Sequence, residues 1–376
     1  MRSQIKRRGS FLALLVVFAL VAAACGNGAD DTTTTAAPGQ ETTTTAAPGE
    51  ETTTTAASLP GDGVKVGMAY DIGGRGDKSF NDSAAAGLDR AIAELGIEAT
   101  ELEPTAGGED REENLRLLAE SGHELVFGIG FAFADSIAAA AEDFPDTSFA
   151  IIDSVVDAPN VASLVFAEHE GSALVGAAAA LKTQTNIIGF IGGVAGLGLI
   201  EKFQAGYEFG AKEVNPDVTI IVQYLTEFPD FAGFNDPAKG KEAALAMYEE
   251  GADVVYHAAG GSGAGLFEAA KETSETSGTK VWAIGVDSDQ YNTAGEGVQD
   301  FILTSMLKRV DVAVYSTTNN FVTGADQSGV VVFDLAADGV GFSTSGGFID
   351  DIKGQLDELR LKIIAGELTV PEVPAG

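Results

Sequence analysis

Short apolar runs alternate with amphipathic segments from Val64 onward, and this alternation constrains the fold more than any other feature. The runs are rich in Val and Ile and predict strands at Val64–Tyr70, Leu125–Ile129, Phe149–Asp153, Val161–Phe166, Asn186–Ile191, Val218–Leu225, Asp253–His257 and Val281–Val286. The segments between them predict helices at Asn81–Leu95, Arg111–Ser121, Asp135–Asp143, Glu168–Leu181, Ile200–Val214, Pro237–Glu250 and Gly265–Lys271. Repeated strand–helix–strand units indicate α/β architecture with parallel sheets covered by helices. Because so many strands would make one sheet very wide, we expect two sheets in two lobes.

The first 25 residues have the pattern of an export signal. Four basic residues precede an uncharged apolar run at Phe11–Ala24, which is too short to span a membrane. Cys25 is the only cysteine and follows Ala24 directly, as in a bacterial lipobox, although Ala22 stands where a lipobox usually has leucine. We therefore predict that residues 1–25 are a lipoprotein signal peptide with lipidated Cys25. The alternative is ordinary signal cleavage that leaves Cys25 unmodified.

Residues 26–60 repeat a threonine-rich pattern with a period of ten, as in TTTTAAPG at 32–39 and again at 42–49. No aromatic or large aliphatic residue lies between Cys25 and Leu59, so this segment has nothing to bury and cannot form a core. We predict a disordered linker that holds the folded body near the extracytoplasmic side of a membrane through the lipid anchor.

The charge balance excludes several kinds of partner. The chain has 22 basic and 56 acidic residues and a net charge of −34, which repels phosphate backbones, so we expect no nucleic-acid partner. The three histidines are His123, His169 and His257, and they form no HExxH motif or other metal-binding group. We therefore expect no metal and no cofactor.

The loops that follow the strands carry the candidate ligand-binding residues, because open α/β sheets bind ligands at the carboxyl ends of their strands. The loop after the first strand, GRGDKSFN at 74–81, crowds Asp77 and Asn81 into one turn, with Ser79 in a helix N-cap pattern that accounts for that serine. Phe131 lies in the glycine-containing segment 128–133. Glycine-rich residues 260–265 and acidic residues 287–290 follow later strands. The glycines match no phosphate-binding motif, so simple tight turns are the alternative.

Together, nine segments resemble the basic membrane protein family of bacterial lipoproteins, relatives of the PnrA-type purine nucleoside receptors of ABC importers. The segments are GDKSFND (76–82), PDTSFAIID (145–153), VFAEHEGSALVGAAAA (165–180), IGFIGG (188–193), FQAGYEFGAK (203–212), FNDPAKGKEAA (234–244), GADVVYHAAGGSGAG (251–265), IGVDSDQ (284–290) and LTSMLKRVDVAVY (303–315). They cover residues 62 to 370 in consistent order. The resemblance implies two Rossmann-like lobes with parallel sheets joined by crossover hinges, the type I periplasmic binding protein fold.

The resemblance also implies a ligand site between the lobes. Carried over to this chain, it gives Asn81 as a hydrogen-bonding partner, Asp153 for the base edge, Phe234 for stacking on the base, Gly260 for a close backbone contact, Asp287 for the ribose hydroxyls and Lys308 to complete the set. We add Asp77 and Phe131 from the same loops. A second aromatic expected before the DKSFN turn is missing, and Arg75, Tyr70 or Phe131 are the candidates to replace it.

Each of these residues also has a structural alternative. Asp153 and Asp287 are suited to capping the helices that follow them, Phe234 to a place in the core and Lys308 to a salt bridge. His257 lies on an apolar strand and is expected to be an interior histidine rather than a catalytic one.

We expect lobe 1 to comprise residues 61–167 with about 308–325, and lobe 2 to comprise 168–307 with about 326–376. The crossovers are predicted near Ala167–Glu170, at Asp289–Tyr291 or Leu307–Arg309, and around Gly324–Gly329. Closure around a ligand requires Asn81 and Asp153 on one lobe and Phe234, Gly260 and Asp287 on the other.

These features predict a monomeric substrate-binding lipoprotein that captures a purine nucleoside or similar small molecule and delivers it to an ABC permease. A sugar-binding receptor of the same fold is the first alternative. An enzyme is not expected, because the sequence has no GxSxG motif and no metal-ligand cluster. A nucleoside hydrolase is nevertheless the second alternative, since such enzymes also hold ribose with aspartates.

Overall fold

The structure is a computed structural model that describes residues 58–105, 107–325 and 328–375. The predicted signal peptide with Cys25 and the threonine repeat as far as residue 57 lie outside the described residues. Within the described ranges, no helix combines the length and the apolar character needed to cross a membrane.

In the described part of the chain, twelve strands and ten α-helices follow one another, with short 3-10 turns at several loops. The strands are β1 (Lys65–Ala69), β2 (Glu98–Leu102), β3 (Leu125–Gly128), β4 (Ser148–Ile152), β5 (Val161–Phe166), β6 (Ile187–Ala195), β7 (Thr219–Glu227), β8 (Val254–Ala258), β9 (Trp282–Asp287), β10 (Ile302–Lys308), β11 (Gly329–Phe333) and β12 (Val340–Phe342). The helices are α1 (Phe80–Leu95), α2 (Arg111–Glu120), α3 (Ala134–Asp143), α4 (Glu168–Lys182), α5 (Leu199–Val214), α6 (Pro237–Glu249), α7 (Gly263–Ser277), α8 (Gln290–Thr293), α9 (Val310–Val322) and α10 (Lys353–Ile364).

Two six-stranded sheets organise these elements. The first has the order β11-β5-β4-β3-β1-β2 with every pair parallel, and with its helices it forms lobe 1. The second has the order β12-β10-β9-β8-β6-β7, in which β12 alone runs antiparallel, and it forms lobe 2. The predicted α/β class with two Rossmann-like lobes is confirmed.

The strand order places the expected ligand crevice. In lobe 1, β1 pairs with β2 on one side and β3 on the other, and in lobe 2, β6 pairs in the same way with β7 and β8. The crossover direction therefore reverses at β1 and at β6. Open α/β sheets bind ligands outside the carboxyl ends of the strands at such reversal points.

Helices α4 and α5 pack unusually closely in lobe 2 because small residues face each other. A Cβ at Gly210 would lie 1.8 Å from the Ala173 carbonyl oxygen, and one at Gly206 would lie 2.0 Å from that of His169. Only glycine fits there, so the two backbones are held in direct contact. This packing fixes the amino-terminal ends of both helices, Glu168 and Leu199, next to the crevice.

In the part of the chain that the structure describes, the backbone crosses between the lobes three times. One predicted crossover, and one of the two alternatives given for another, need correction. The chain passes from β5 to α4 at Phe166–Glu168, from β10 to α9 just after Lys308, and from β11 to β12 between residues 333 and 340. Gly324–Gly329 is not a crossover, because α9 packs against α1 and β11 pairs with β5, both in lobe 1. Asp289–Tyr291 lies within lobe 2.

The expected lobe boundary is also wrong for β11. Residues from about 326 onward were assigned to lobe 2, whereas β11 belongs to the sheet of lobe 1.

Backbone hydrogen bonds connect the three crossovers. Ala167 N donates to Phe333 O at 3.0 Å, and Arg309 N donates to Gly339 O at 2.9 Å.

Candidate functional site

A cleft between the lobes brings together all eight residues proposed from the sequence. It encloses about 690 Å³ out to its open mouth. Asp77, Asn81, Phe131 and Asp153 reach it from lobe 1, whereas Phe234, Gly260, Asp287 and Lys308 reach it from lobe 2. The other lining residues are Asp71, Ile72, Phe80, Gly130, Leu199, Ile200, Phe203, Phe231, Ala258, Ala259 and Val286.

Asp77 builds the turn at the start of α1. Its carboxylate accepts hydrogen bonds from the backbone N–H groups of Ser79 (2.9 Å), Asn81 (2.8 Å) and Asp82 (3.1 Å). Burial nevertheless raises the pKa of Asp77 above its ordinary value. Its carboxylate also accepts from the Asn81 amide at 3.0 Å, so Asp77 fixes the position of the Asn81 side chain at the cleft.

Ser79 does not act as the expected side-chain N-cap, because its hydroxyl bonds to no backbone group of α1. The hydroxyl instead donates to the Asp287 carboxylate on the opposite lobe at 2.6 Å. Ser79 therefore occupies the predicted N-cap position of α1, but its side chain does not cap the helix. The backbone N–H groups of Asn81 and Asp82, which a capping hydroxyl would accept from, already donate to Asp77. The Ser79 hydroxyl is therefore free to contact lobe 2.

Lys308 is the centre of a buried ionic cluster. Its ammonium lies 2.6 Å from Asp153 Oδ2 and 3.3 Å from Glu168 Oε1, and all three side chains are at most 4% exposed. The rings of Phe80, Phe166 and Phe203 lie 5.0–5.5 Å from the ammonium and screen it from solvent. Lys308 thus forms the salt bridges that were its structural alternative, and it forms them inside the cleft.

Two carboxylate oxygens of this cluster remain available. Asp153 Oδ1 and Glu168 Oε2 are buried and have no hydrogen-bond partner among the described residues. Burial raises the pKa of Asp153 against the attraction of Lys308, and it raises that of Glu168 to about 7. Burial lowers the pKa of Lys308, but Asp153, Glu168 and Asp287 more than reverse this, so its pKa lies above its ordinary value. Lys308 is therefore charged, and the two buried carboxylates beside it have more acceptor oxygens than its ammonium satisfies.

Asp287 ends β9 with a left-handed backbone (φ 63°), and Asp153 follows β4 in the same conformation (φ 70°). Such backbones are uncommon outside glycine and turn the side chain away from the direction of the strand. Burial raises the pKa of Asp287 to about 6, although Lys308 and the Ser79 hydroxyl act in the opposite direction. Neither aspartate caps the helix that follows it, because the N-cap positions of α4 and α8 are occupied by Ala167 and Asp289.

The apolar walls of the cleft are mainly phenylalanines. Phe131 from lobe 1 meets Phe231 and Phe234 of lobe 2 edge to face, with ring centroids 5.8 and 6.4 Å apart. Phe234 lies flat against β6, where a Cβ on Gly193 would come within 2.6 Å of its ring. The Phe234 ring is thus held in place by the backbone and still presents a surface to the cleft.

Gly260 completes this wall in a left-handed turn (φ 52°), with its backbone against Phe234.

Among the three candidates for the second aromatic position, Phe131 is the one that lines the cleft. Arg75 lies on the surface, where it pairs with Asp89 and Glu101. Tyr70 is buried and donates to Glu101 outside the cleft. Arg75 and Tyr70 are therefore excluded as stacking groups in this structure.

Sequence reasoning missed several residues of the site. Phe80 and Phe231 line the cleft, and Glu168 stands behind Lys308. Asp71, which is separated from β1 by Tyr70, forms an ion pair with Arg111 at the edge of the cleft, and the Arg111 guanidinium lies 5.7 Å from the Phe231 ring of the opposite lobe. The position of Asp71 after the predicted strand Val64–Tyr70 was the one available signal.

His257 is an interior histidine and does not line the cleft. His257 is fully buried, its Nε2 lies 3.0 Å from Gln290 Oε1, and burial lowers its pKa to about 4. Among the described residues, no group of three His, Cys, Asp or Glu side chains is placed to hold a metal ion.

Comparison with known proteins identifies the family. Residues 64–373 match the family model described as ABC transporter substrate-binding protein PnrA-like. The chain belongs to this family. The predicted resemblance to basic membrane proteins and PnrA-like receptors is thereby confirmed, and the protein is a substrate-binding component of an ABC transporter.

Individual relatives in sequence and structure are consistent with this family. A CD4+ T-cell-stimulating antigen of Listeria monocytogenes is 38% identical over 82% of this chain and 88% of its own length. An ABC transporter nucleoside-binding protein BmpA of Lactococcus lactis is 37% identical over 82% of this chain and 89% of its own. A solute-binding protein of an ABC transporter from Aeropyrum pernix has a similar structure, with a TM-score of 0.71, 29% identity and coverage of 82% of this chain and 94% of its own.

Proposed function

We propose that the protein captures a purine nucleoside, or a closely similar uncharged ring compound, in the cleft and delivers it chemically unchanged to an ABC permease. The observation that carries this proposal is the combination of flat phenylalanine walls with buried carboxylates, one of which, Asp153, has an acceptor oxygen without a partner among the described residues. The relative from Lactococcus lactis is named as nucleoside-binding, which supports the same ligand class.

The chemistry of the walls suits a nucleobase. A base stacked on an aromatic ring gains about 1–3 kcal/mol. Phe234 and Phe131 are placed to supply such surfaces from opposite lobes. The cleft's excess of buried carboxylates favours a ligand rich in N–H and O–H donors, because a buried acceptor left unpaired costs about 1–3 kcal/mol. It disfavours phosphorylated ligands, whose charge would be repelled by Asp153 and Asp287.

Ligand capture proceeds by closure of the two lobes in this proposal. Groups that contact the ligand come from both lobes, so a bound ligand favours the closed state over the open one. The lobes already touch at the turn after β1, where Lys78 Nζ donates to the Ala294 carbonyl at 3.0 Å and Gln290 Nε2 donates to the Lys78 carbonyl at 3.0 Å. These few bonds at one edge give the closed state a defined geometry.

The anchor belongs to the same proposal. Lipidation at Cys25 and the linker that follows would hold a monomeric body outside the cytoplasm within reach of its permease. Metabolic labelling with a fatty acid tests this. Label is expected on the full chain and absent from a Cys25→Ala variant, and label retained by that variant would contradict lipidation at this residue.

Mass spectrometry of the purified body, residues 58–375, under native and denaturing conditions tests the ligand directly. Calorimetry with adenosine, guanosine, inosine, ribose, arabinose and adenosine monophosphate then ranks the candidates. Saturable binding of nucleosides but not of the monophosphate is expected. Binding of the sugars alone would favour the sugar receptor, and free base appearing during incubation would identify a hydrolase.

Phe234→Ala tests whether the ligand stacks on Phe234. Loss of the stacking surface is expected to weaken nucleoside binding about tenfold to a hundredfold. Circular dichroism should show an unchanged fold. Phe228→Ala is the control, because Phe228 lies on the same segment, is 58% exposed and does not line the cleft. An unchanged dissociation constant for Phe234→Ala would remove this residue from the site.

A further inference from the structure

Glu168 is a buried acid with no evident structural requirement for its burial. It begins α4 at the first crossover, is 1% exposed, and does not line the cleft. An acidic residue in the first turn of a helix is favoured by the helix dipole, but an exposed side chain gives the same benefit. Taking a carboxylate out of water costs several kcal/mol unless partners compensate. The partners of Glu168 should therefore explain its position.

The principal partner is Lys308. Glu168 Oε1 lies 3.3 Å from the ammonium on the crossover side, and Asp153 Oδ2 lies 2.6 Å from it on the lobe 1 side. An ammonium held by one buried carboxylate would be drawn fully onto it. Two carboxylates at different distances hold the ammonium between them, so Asp153, which lines the cleft, is not the only partner of Lys308.

We propose that Glu168 is a positioning residue, which holds the Lys308 ammonium from behind so that Lys308 and Asp153 stay available to the ligand. The proposal deepens the nucleoside-binding function and rests on it only for the effect on affinity. The arrangement of Lys308 itself does not depend on which ligand enters the cleft. The position of Glu168 at one crossover and of Lys308 at another also links the site to two of the three hinge segments.

The charged groups around Glu168 define how this contact responds to pH. Lys308 attracts its ionised form, Asp153 opposes ionisation and Lys202 on α5 weakly favours it. Asp287 acts on the same lysine from lobe 2. Because burial outweighs the attraction and brings the pKa of Glu168 to about 7, the carboxylate holds Lys308 firmly above neutral pH and loses its charge below it. Lys308 should therefore be held less firmly as the pH falls through about 7.

The first experiment needs no ligand. In the body labelled with ¹³C and ¹⁵N at lysine, the Lys308 side-chain resonance, assigned with Lys308→Arg, is expected to titrate with a midpoint near pH 7. Glu168→Gln keeps the size of the side chain but removes the charge, so this step should disappear. Glu170→Gln is the control, because Glu170 lies in the same helical turn and bonds to Leu335 N at 3.0 Å rather than to Lys308. A step near pH 7 that persists in Glu168→Gln would overturn the proposal.

The second experiment measures affinity for adenosine and inosine at pH 8 and pH 6.5. Glu168→Gln is expected to bind about tenfold more weakly than the parent at pH 8, the loss of one charge-assisted contact. The parent should weaken toward the variant at pH 6.5, and Glu170→Gln should follow the parent. Equal affinities of parent and Glu168→Gln at pH 8 would overturn the positioning role. If the parent binds no nucleoside, the proposed function fails, whereas the lysine titration still decides the role of Glu168.

Discussion

Asp153 and Asp287 occupy equivalent places in the two lobes, yet they are compensated in different ways. Each lies at the carboxyl end of a strand with a left-handed backbone, and each side chain is almost completely buried in the cleft. Asp153 is paired with the ammonium of Lys308, whereas Asp287 accepts a hydrogen bond from the Ser79 hydroxyl, both at 2.6 Å.

The difference lies in where the partner is attached. Lys308 is the last residue of β10 in lobe 2, so its contact with Asp153 joins the two lobes directly beside the second crossover. Ser79 belongs to lobe 1 and Asp287 to lobe 2, and their hydrogen bond also joins the lobes, but neither residue adjoins a crossover. We therefore expect opening of the cleft to disturb the Asp153–Lys308 pair less than the Ser79–Asp287 hydrogen bond.

The largest effect is expected from removing Lys308, the partner of Asp153. Lys308→Met leaves Asp153 and Glu168 buried without their cation, which should lower the free energy of unfolding by about 3–5 kcal/mol. The loss should be largest at high pH, because at low pH the two carboxylates can bind protons instead. Denaturant unfolding at pH 6 and pH 8 measures both effects.

Lys241→Met is the matched control, since Lys241 pairs with Glu272 at 2.9 Å near the surface and should contribute at most about 1 kcal/mol. A stability of Lys308→Met equal to that of this control would show that Asp153 and Glu168 do not depend on the lysine charge.

A smaller effect is expected from the pH dependence of Asp287. Its pKa is about 6 in the folded protein, above the value of about 3.9 for an unfolded chain. Between these values the folded state binds the proton more tightly, so stability should rise as the pH falls from 6 toward 4, by up to about 1.4 kcal/mol per pH unit. Asp287→Asn should lack this component, and the difference between parent and variant across pH 4–8 measures it. A difference that does not change with pH would contradict the raised pKa.

The smallest effect is expected from the contact between the lobes. Ser79→Ala removes one buried hydrogen bond that exists in the closed state, worth about 1 kcal/mol, so ligand affinity should fall about fivefold. The stability of the separate lobes should hardly change. Ser121→Ala serves for comparison, because its hydroxyl bonds to Leu117 O within lobe 1. Equal ligand affinities for the two variants would mean that the Ser79–Asp287 bond does not favour closure.

The sequence predicted the strands at the centres of both sheets because such strands are buried on both faces and appear as continuous apolar runs. It missed three edge strands, which are β2, whose residues Glu98–Leu102 are partly exposed, β11 (Gly329–Phe333), and the three-residue strand β12. It also missed β10, although this strand is buried. The polar residues of β10 interrupt the apolar run, and their partners are far away in sequence, as when Thr304 donates to Ser343 O at 2.6 Å.

Partners that are distant in sequence also limited the prediction of the cleft residues. Asp287 was proposed both from its place after a strand and from the family resemblance, whereas Asp153 was proposed from the resemblance alone. Glu168 was not proposed for the site, because an acid at the start of a helix has a sufficient local explanation. Ser79 occupies its predicted N-cap position, but the partner of its hydroxyl was missed for the same reason, since the local pattern was complete while that partner lies 208 positions further along the chain.

The three crossovers have a consequence for biosynthesis. The sheet of lobe 1 is completed by β11 and that of lobe 2 by β12, so both wait for residues beyond 328. Domains made of one continuous segment fold one after the other as the ribosome releases them. Here neither half can acquire its last strand until nearly the whole polypeptide has been synthesised, and truncation before residue 340 would leave at least one of the halves incomplete.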